Sequence, residues 1–583
     1  MVAAFDSDEA THLYLIRQNL TKKDWIINYD HYGHFHFNMA LYPLWAYSYF
    51  APVTDKAIII TLRVIPAIFS WLTVLLIFCC CLKFLDIKSA ILSAVLICLS
   101  YPDFLKNGVN SPPDNVQVFS LVLTFFFAGN YLEKKNAKWL LGAGFTAGMA
   151  FANKYSGILA LPILMGITIF EKRQTVALKN VVLLSIGYLI TAYFFSSYFL
   201  RPFLIENTET EHFLSTANIL SSICIVIVSV LFIGLFFFKK RLETIFPVLK
   251  SSFLIGLTFI IGFAIGSPDS LKDLKFINGI LKISAHINAG HWFSNEMKGT
   301  DWLFMIFSNN MLNPVLALFT ISGLLFILYD AIIKKQKLTF AALVTIWVFI
   351  FMAYLMGRVR AQFDHYLLPV VPFVIIIASI GISFVIKGIK PQGRTLNPNY
   401  TPLNPLSRGE NKENPEAEPR GILRINWLQK NTKYAALING LGMLIIGYFL
   451  IPSLMEIIKL RTYLAERDTT SGNVIIGNYL KENYPSSSII LADYYSYVPS
   501  NFKRHYPKWG LDSIIENTVK PDIIITTRIA KRYEDIAKAD FYKDGKEVYL
   551  NRNKFYRQLS EGQLNYKKMK QSDDVTLYEK VVY

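Results

Sequence analysis

Two adjacent carboxylates, Asp8 and Glu9, stand beside His12 and Tyr14 near the start of the chain. Such a set can bind a cation, take a proton from a hydroxyl group, or cap a helix, since acidic residues are favoured in a first turn by the helix dipole. A second acidic candidate, Asp114, closes Asn110-Ser111-Pro112-Pro113-Asp114 at the entrance to an apolar run. Its local sequence reads first as a helix cap after a proline turn. Lys154 interrupts two apolar runs, where an ammonium group is costly unless it snorkels to water or meets an anion. Arg358 and Arg360 precede His365 and Tyr366. A planar guanidinium suits phosphate, set against the plain reading of a charged loop end. The remaining polar candidates are His34 and His36, then His286 and His291 in a loop that also carries Trp292, Glu296, Asp301 and Trp302. The spacing within that loop fits no compact metal motif, and most of its residues read as solvated.

The elements that must position these residues are apolar. Hydrophobic residues make up 53% of the 583-residue chain and aromatics 15%, with a positive mean hydropathy. Apolar runs occupy 58–82, 88–104, 115–132, 138–152, 155–170, 180–200, 216–238, 249–266, 313–333, 339–356, 366–387 and 433–452. The expected fold is therefore an α-helical polytopic membrane protein with about 12 transmembrane helices, the fourth and fifth runs forming a broken pair. The five cysteines all lie inside apolar runs, which argues against a disulfide framework or a cysteine zinc site.

The net charge of +17 is confined largely to segments between runs. Every second connection is basic: Lys83 and Lys88; Lys134, Lys135 and Lys138; Lys172, Arg173 and Lys179; Lys239, Lys240 and Arg241; Lys334, Lys335 and Lys337. This is the positive-inside pattern of a membrane protein, and it excludes a nucleic-acid partner as the reason for the charge. The intervening loops, richer in acid, histidine and proline, then face the outer side together with Asp8, Asp114 and Lys154. A stretch of Tyr, Trp and His between 24 and 50 suits helices lying at the membrane interface.

The chain divides into a first outer loop with the acidic motif and interfacial helices (1–57), a transmembrane core (58–389), a proline-rich disordered cytoplasmic insertion (390–432), a last transmembrane helix (433–452) and an outer-face soluble α/β domain (453–583). Strands are expected at 488–493, 522–527 and 575–582.

Asp8-Glu9-Ala10 in a first outer loop, Pro113-Asp114 at the third run, Asn153-Lys154-Tyr155 at the fifth and Tyr366-Leu367-Leu368-Pro369-x-x-Pro372 late in the chain resemble the protein mannosyltransferase and aminoarabinose transferase group, similar to glycosyltransferase family 39. These are multispan enzymes of the GT-C fold class. The resemblance runs from Asp8 to about 386. Two features depart from it: His34-Phe35-His36-Phe37-Asn38 replaces a Lys-Pro-Pro-Leu element, and His365 stands where the group has arginine. The group also carries a helix before the acidic loop. Arg17, Lys22 and Lys23 would resist export of a free tail, so the natural chain is expected to begin further upstream with that helix.

The resemblance implies inverting transfer of a sugar from a polyprenyl-phosphate carrier to an acceptor hydroxyl at the outer face of the cytoplasmic membrane. Asp8, with Glu9, would supply the general base, and Asp114 a second acidic site. Lys154, Arg358, Arg360, His365 and Tyr366 would bind the donor phosphate and steady its growing charge. His34, His36, His286 and His291 are read as contacts to donor or acceptor. The implied partners are the lipid-linked donor, membrane lipid, and a glycan, lipid or protein acceptor. No cofactor is required by the pattern, although Asp8 and Glu9 have the chemistry to hold Mg²⁺ or Mn²⁺. The competing readings are a secondary transporter and a non-catalytic membrane component of cell-envelope glycan assembly. An oligosaccharyltransferase of the same fold class would show a Trp-Trp-Asp signature, which this sequence lacks.

Overall fold

Described in the computed structural model are residues 7–99 (except 28, 30 and 31), 112–171, 239–270, 299–332 (except 309, 310 and 313), 338–359, 364–388, 471–505 (except 494), 520–538 and 546–581, with single positions elsewhere. The expected runs at 180–200, 216–238 and 433–452 and the insertion at 390–432 lie outside the described residues.

Helices α1 (Ser7–Lys22) and α2 (Phe35–Ser48) precede the first long apolar helix, α3 (Asp55–Phe84). Thr54 starts α3 by accepting the Ala57 N–H on its hydroxyl oxygen, with Asp55 in the first turn. At 30 residues and 1.5 Å of rise each, α3 exceeds the roughly 30 Å of a bilayer core. Then come α4 (Ile87–Leu99), α5 (Asp114–Lys134), α6 (Ala137–Phe151), α7 (Ala160–Glu171), α8 (Lys239–Gly266), α9 (Asp301–Ile306), α10 (Pro314–Ile332), α11 (Phe340–Arg358) and α12 (Val371–Gly388). Four helices among the described residues are long and apolar enough to cross a membrane: Asp55–Phe84, Asp114–Lys134, Pro314–Ala331 and Phe340–Gly357. The chain is thus a mostly helical, multi-pass membrane protein.

Buried polar side chains join the helices where apolar surface alone gives no direction in lipid. Ser93 on α4 donates to Ser379 on α12 at 2.8 Å, and the hydroxyls of Thr124 on α5 and Thr146 on α6 meet at 2.9 Å. Helices α6 and α8 approach most closely through reciprocal glycines. A Cβ on Gly148 would fall on the Phe259 carbonyl oxygen, and one on Gly262 on the Phe145 carbonyl oxygen. Because Gly144 faces Ile255 while Gly148 faces Phe259, the two helices run parallel and end on the same side.

The structure explains the broken pair at 138–152 and 155–170. Helix α6 stops at Phe151, residues 152–153 form a turn, and a 3-10 turn at Tyr155–Leu159 leads into α7. Lys154 sits in extended conformation within this break. The run expected at 366–387 likewise begins later, after a 3-10 turn at Asp364–Leu367.

The C-terminal region holds α13 (Gly472–Asn483), β1 (Ile489–Ala492), β2 (Lys503–His505), β3 (Ile523–Thr526), α14 (Ile529–Lys538), α15 (Lys546–Ser560), β4 (Tyr566–Ser572) and β5 (Val575–Lys580). Its sheet has the order β2-β1-β3-β5-β4, with β1 parallel to β2 and β3 and the β5 pairings antiparallel. The three expected strands are β1, β3 and β5. Strand β4 is lysine-rich and exposed along most of its length, so it carries no apolar alternation to read. Val474 and Tyr497 of this region pack into the cluster formed by Ala10, Leu13 and Ile16 of α1, Phe37 and Leu41 of α2 and Ile58 and Leu62 of α3. The sheet region is therefore seated on the first three helices.

Candidate active site

Lys154 is the centre of the site. Its Nζ donates to Asp114 Oδ1 at 2.6 Å, with both side chains nearly removed from solvent. The same ammonium group lies 5.1 Å from the ring centroid of Tyr32 and 5.7 Å from that of Tyr366. A carboxylate and two aromatic faces thus satisfy a charge that the apolar surroundings would otherwise penalise. Asp114 is the first residue of α5. A carboxylate there gains from the helix dipole as well as from Lys154, so the expected cap and the charge partner are one residue.

The neighbouring backbone is drawn in by polar contacts. Gln117, one turn into α5, donates from Nε2 to the Lys154 carbonyl at 2.9 Å and to Ser156 Oγ at 3.0 Å. The strap of residues 32–35 leading into α2 meets the helix break: Gly33 N–H donates to Asn153 O at 3.1 Å, Phe35 N–H to Ala152 O at 3.0 Å, and Tyr155 Oη to Tyr32 O at 3.3 Å. Gly33 is required there, because a Cβ would coincide with the Ala152 carbonyl. On the other side of the strap, His34 Nδ1 is 2.7 Å from Asp269 Oδ2 and Nε2 is 2.5 Å from Tyr29 O. Both ring nitrogens of His34 thus face protein partners.

The sequence-derived candidates fall into three groups. Asp114, Lys154 and Tyr366 are brought together, with His365 edge-on to Tyr366 at 4.6 Å between centroids. Trp302 links this centre to the end of α11, its ring 6.5 Å from that of Tyr366 and its Nε1 donating to Val359 O at 2.8 Å. Glu9 and His36 are elsewhere. Glu9 takes a two-pronged contact from Arg63 on α3, Nε to Oε1 at 2.8 Å and Nη2 to Oε2 at 2.7 Å, and is buried. His36 is fully buried, with its ring 6.4 Å from His12 and 5.4 Å from Phe37. Asp8 lies in the first turn of α1. Its side chain, those of Arg358 and Arg360, and all of His286 and His291 lie outside the described residues. Among the described residues, no three His, Cys, Asp or Glu side chains come together in a way that could hold a metal ion.

Sequence reasoning passed over Arg63, Gln117, Tyr32 and Asp269 as individual candidates. Arg63 carried the clearest signal, a guanidinium inside an otherwise apolar helix, where a charge must find a partner. Asp269, in Ser267-Pro268-Asp269-Ser270 after an apolar helix, reads locally as an ordinary turn residue.

Residues 39–199 match the sequence model of the family described as dolichyl-phosphate-mannose-protein mannosyltransferase. The matched segment contains Asp114, Gln117 and Lys154, and it agrees with the glycosyltransferase expected from the motifs. No curated protein matches the chain in sequence. Among solved structures, the chain is similar to ArnT from Cupriavidus metallidurans bound to undecaprenyl phosphate, at 10% identity over 99% of this chain and 94% of that one, with a TM-score of 0.48. The apo state of the same protein matches at 12% identity over 99% and 93%, with a TM-score of 0.47. An Archaeoglobus fulgidus oligosaccharyltransferase tethered to an acceptor peptide matches at 13% identity over 93% and 68%, with a TM-score of 0.44.

Proposed function

We propose that this protein transfers a sugar from a polyprenyl-phosphate-linked donor to an acceptor hydroxyl, with inversion, at the outer face of the cytoplasmic membrane. The observation that carries this reading is the buried Lys154 ammonium group, held by Asp114 between two tyrosine rings at the ends of helices rather than within one. Its place inside the family-matched segment supports the same chemistry. A phosphate entering beside Lys154 meets a preorganised cation in a site largely closed to water, where charge stabilisation is strongest. As the bond from the anomeric carbon to the phosphate oxygen breaks, the electron pair stays on that oxygen and Lys154 steadies it. Asp114 keeps the ammonium group oriented without neutralising all three of its donors. Asp8 receives the proton of the acceptor hydroxyl as the new glycosidic bond forms on the opposite face of the sugar. Glu9, Asp114 and Asp269 face Arg63, Lys154 and His34 respectively.

A transporter reading would draw on the helix break and its buried pair, since carriers place both near mid-membrane. Here Asp114 begins α5, and Lys154 follows the end of α6 by three residues, so the pair sits where helices end. The test is transfer of labelled sugar from a polyprenyl-phosphate donor by membranes containing the protein. The intact protein is expected to transfer, and Asp8→Asn to reduce transfer by about 10²-fold or more. Absence of transfer by the intact protein contradicts the proposal, and full activity of Asp8→Asn removes Asp8 from the mechanism.

A further inference from the structure

We infer that His34 and Asp269 form a positioning clamp that sets the Tyr32 ring over the Lys154 ammonium group, an assignment that rests on the donor-phosphate reading above. Tyr32 lies between α1 and α2, outside either helix, yet its ring sits 5.1 Å from a charge carried by another part of the chain. Asp269 closes that segment at two points seven residues apart. Its Oδ2 accepts the Ile27 N–H at 3.0 Å and meets His34 Nδ1 at 2.7 Å. The His34 amide N–H adds a bond to Ser267 Oγ at 2.6 Å. Tyr32 is held in the loop so formed.

Two chemical features make this more than ordinary packing. The Tyr29 carbonyl can only accept, so His34 Nε2 carries a hydrogen. The opposite contact then needs a proton as well, on Nδ1 or on the Asp269 carboxyl, and loss of either partner strands a buried polar group. The second feature is the frame. Lys154 follows α6 and Asp269 follows α8, and these parallel helices are pressed together through Gly148 and Gly262 and end on the same side. The clamp and the ammonium group are therefore referenced to one rigid pair of helices, and the strap carries Tyr32 from one to the other.

The clamp acts through Tyr32, which gives a test that a merely structural role would fail. The measurement is equilibrium binding of a labelled polyprenyl phosphate to the full-length protein in lipid nanodiscs, with the melting temperature of each variant taken alongside. Asp269→Ala is expected to weaken binding roughly tenfold, a coupling in the range found for residues in one network. His34→Ala is expected to do the same, and the double variant to be no weaker than either single one. In a Tyr32→Ala background, Asp269→Ala should add less than about a twofold change. Asp269→Asn, which keeps the side-chain shape and an acceptor for the Ile27 N–H, should show the same pattern at smaller amplitude if the alanine variant is not recovered folded. Unchanged binding in Asp269→Ala, or a loss that persists undiminished in the Tyr32→Ala background, overturns the clamp alone. Failure of the intact protein to bind polyprenyl phosphate overturns the donor-phosphate reading and the clamp with it.

Discussion

Two ion pairs, Glu9 with Arg63 and Asp114 with Lys154, are built differently. Glu9 and Arg63 meet as two forks, with both carboxylate oxygens and two guanidinium nitrogens engaged, and they bolt α1 onto α3. Lys154 and Asp114 meet through one short contact, with two aromatic faces on the ammonium group. The fork holds both partners in one fixed planar geometry and engages both carboxylate oxygens at once. The lysine is a compact point charge with two further N–H donors. The two pairs are buried to a similar degree and differ in the geometry of the cation, a planar fork against a compact ammonium group.

The largest effect that could break this comparison is on activity. Lys154→Met is expected to lower transfer by about 10²- to 10³-fold, the range for removing one preorganised stabilising donor. Arg63→Met should act instead on stability, costing about 3–5 kcal/mol because the buried Glu9 carboxylate loses its guanidinium partner. Replacing both members of each pair sharpens the contrast. Glu9→Leu with Arg63→Met should recover most of the lost stability, read as the melting temperature, and retain transfer. Asp114→Leu with Lys154→Met should recover the fold but not the activity. If both double variants remain active, the two pairs are alike and the distinction is wrong. Gly33→Ala comes next: the added methyl group must push the strap off Ala152 and strain the Gly33 and Phe35 amide bonds to the break, so both transfer and melting temperature should fall.

A buried carboxylate in the sheet region is surrounded by hydrogen-bond donors. Asp493 accepts from the Thr527 amide, the Thr527 and Ser496 hydroxyls and the Tyr495 amide, yet burial outweighs these donors and pushes its carboxyl up to about 6. Its ordinary value is 3.8. Between those values the folded region holds a proton that the unfolded chain has released, so this group's contribution is fullest below about pH 4 and is lost as pH rises through 6. Lowering pH from 7 to 5 should therefore stabilise the region by about 1 kcal/mol through Asp493, and Asp493→Asn should flatten that slope in a pH series of thermal melts.

The helices were legible because long apolar runs have one reading in a membrane protein, and the break at 152–154 showed itself as a lysine between two such runs. Lys154 and Asp114 were each visible as a charge needing an explanation, but local sequence gave Asp114 the role of a cap. Only the fold shows that the N-terminal residue of α5 and the break after α6 coincide in space. Glu9 was read with Asp8 because the two are adjacent, whereas a helix turns adjacent residues about 100° apart, and α1 aims Glu9 at Arg63. Asp269 and strand β4 were hidden for opposite reasons, the first because a turn aspartate is commonplace and the second because an exposed edge has no apolar period.

The most direct test of the central assignment is binding of a labelled polyprenyl phosphate to the two double-apolar variants, both confirmed folded by thermal melts. The account predicts that Glu9→Leu/Arg63→Met binds as the intact protein does, while Asp114→Leu/Lys154→Met loses binding by about tenfold or more. Undiminished binding by the second variant would contradict the placement of the donor phosphate at Lys154.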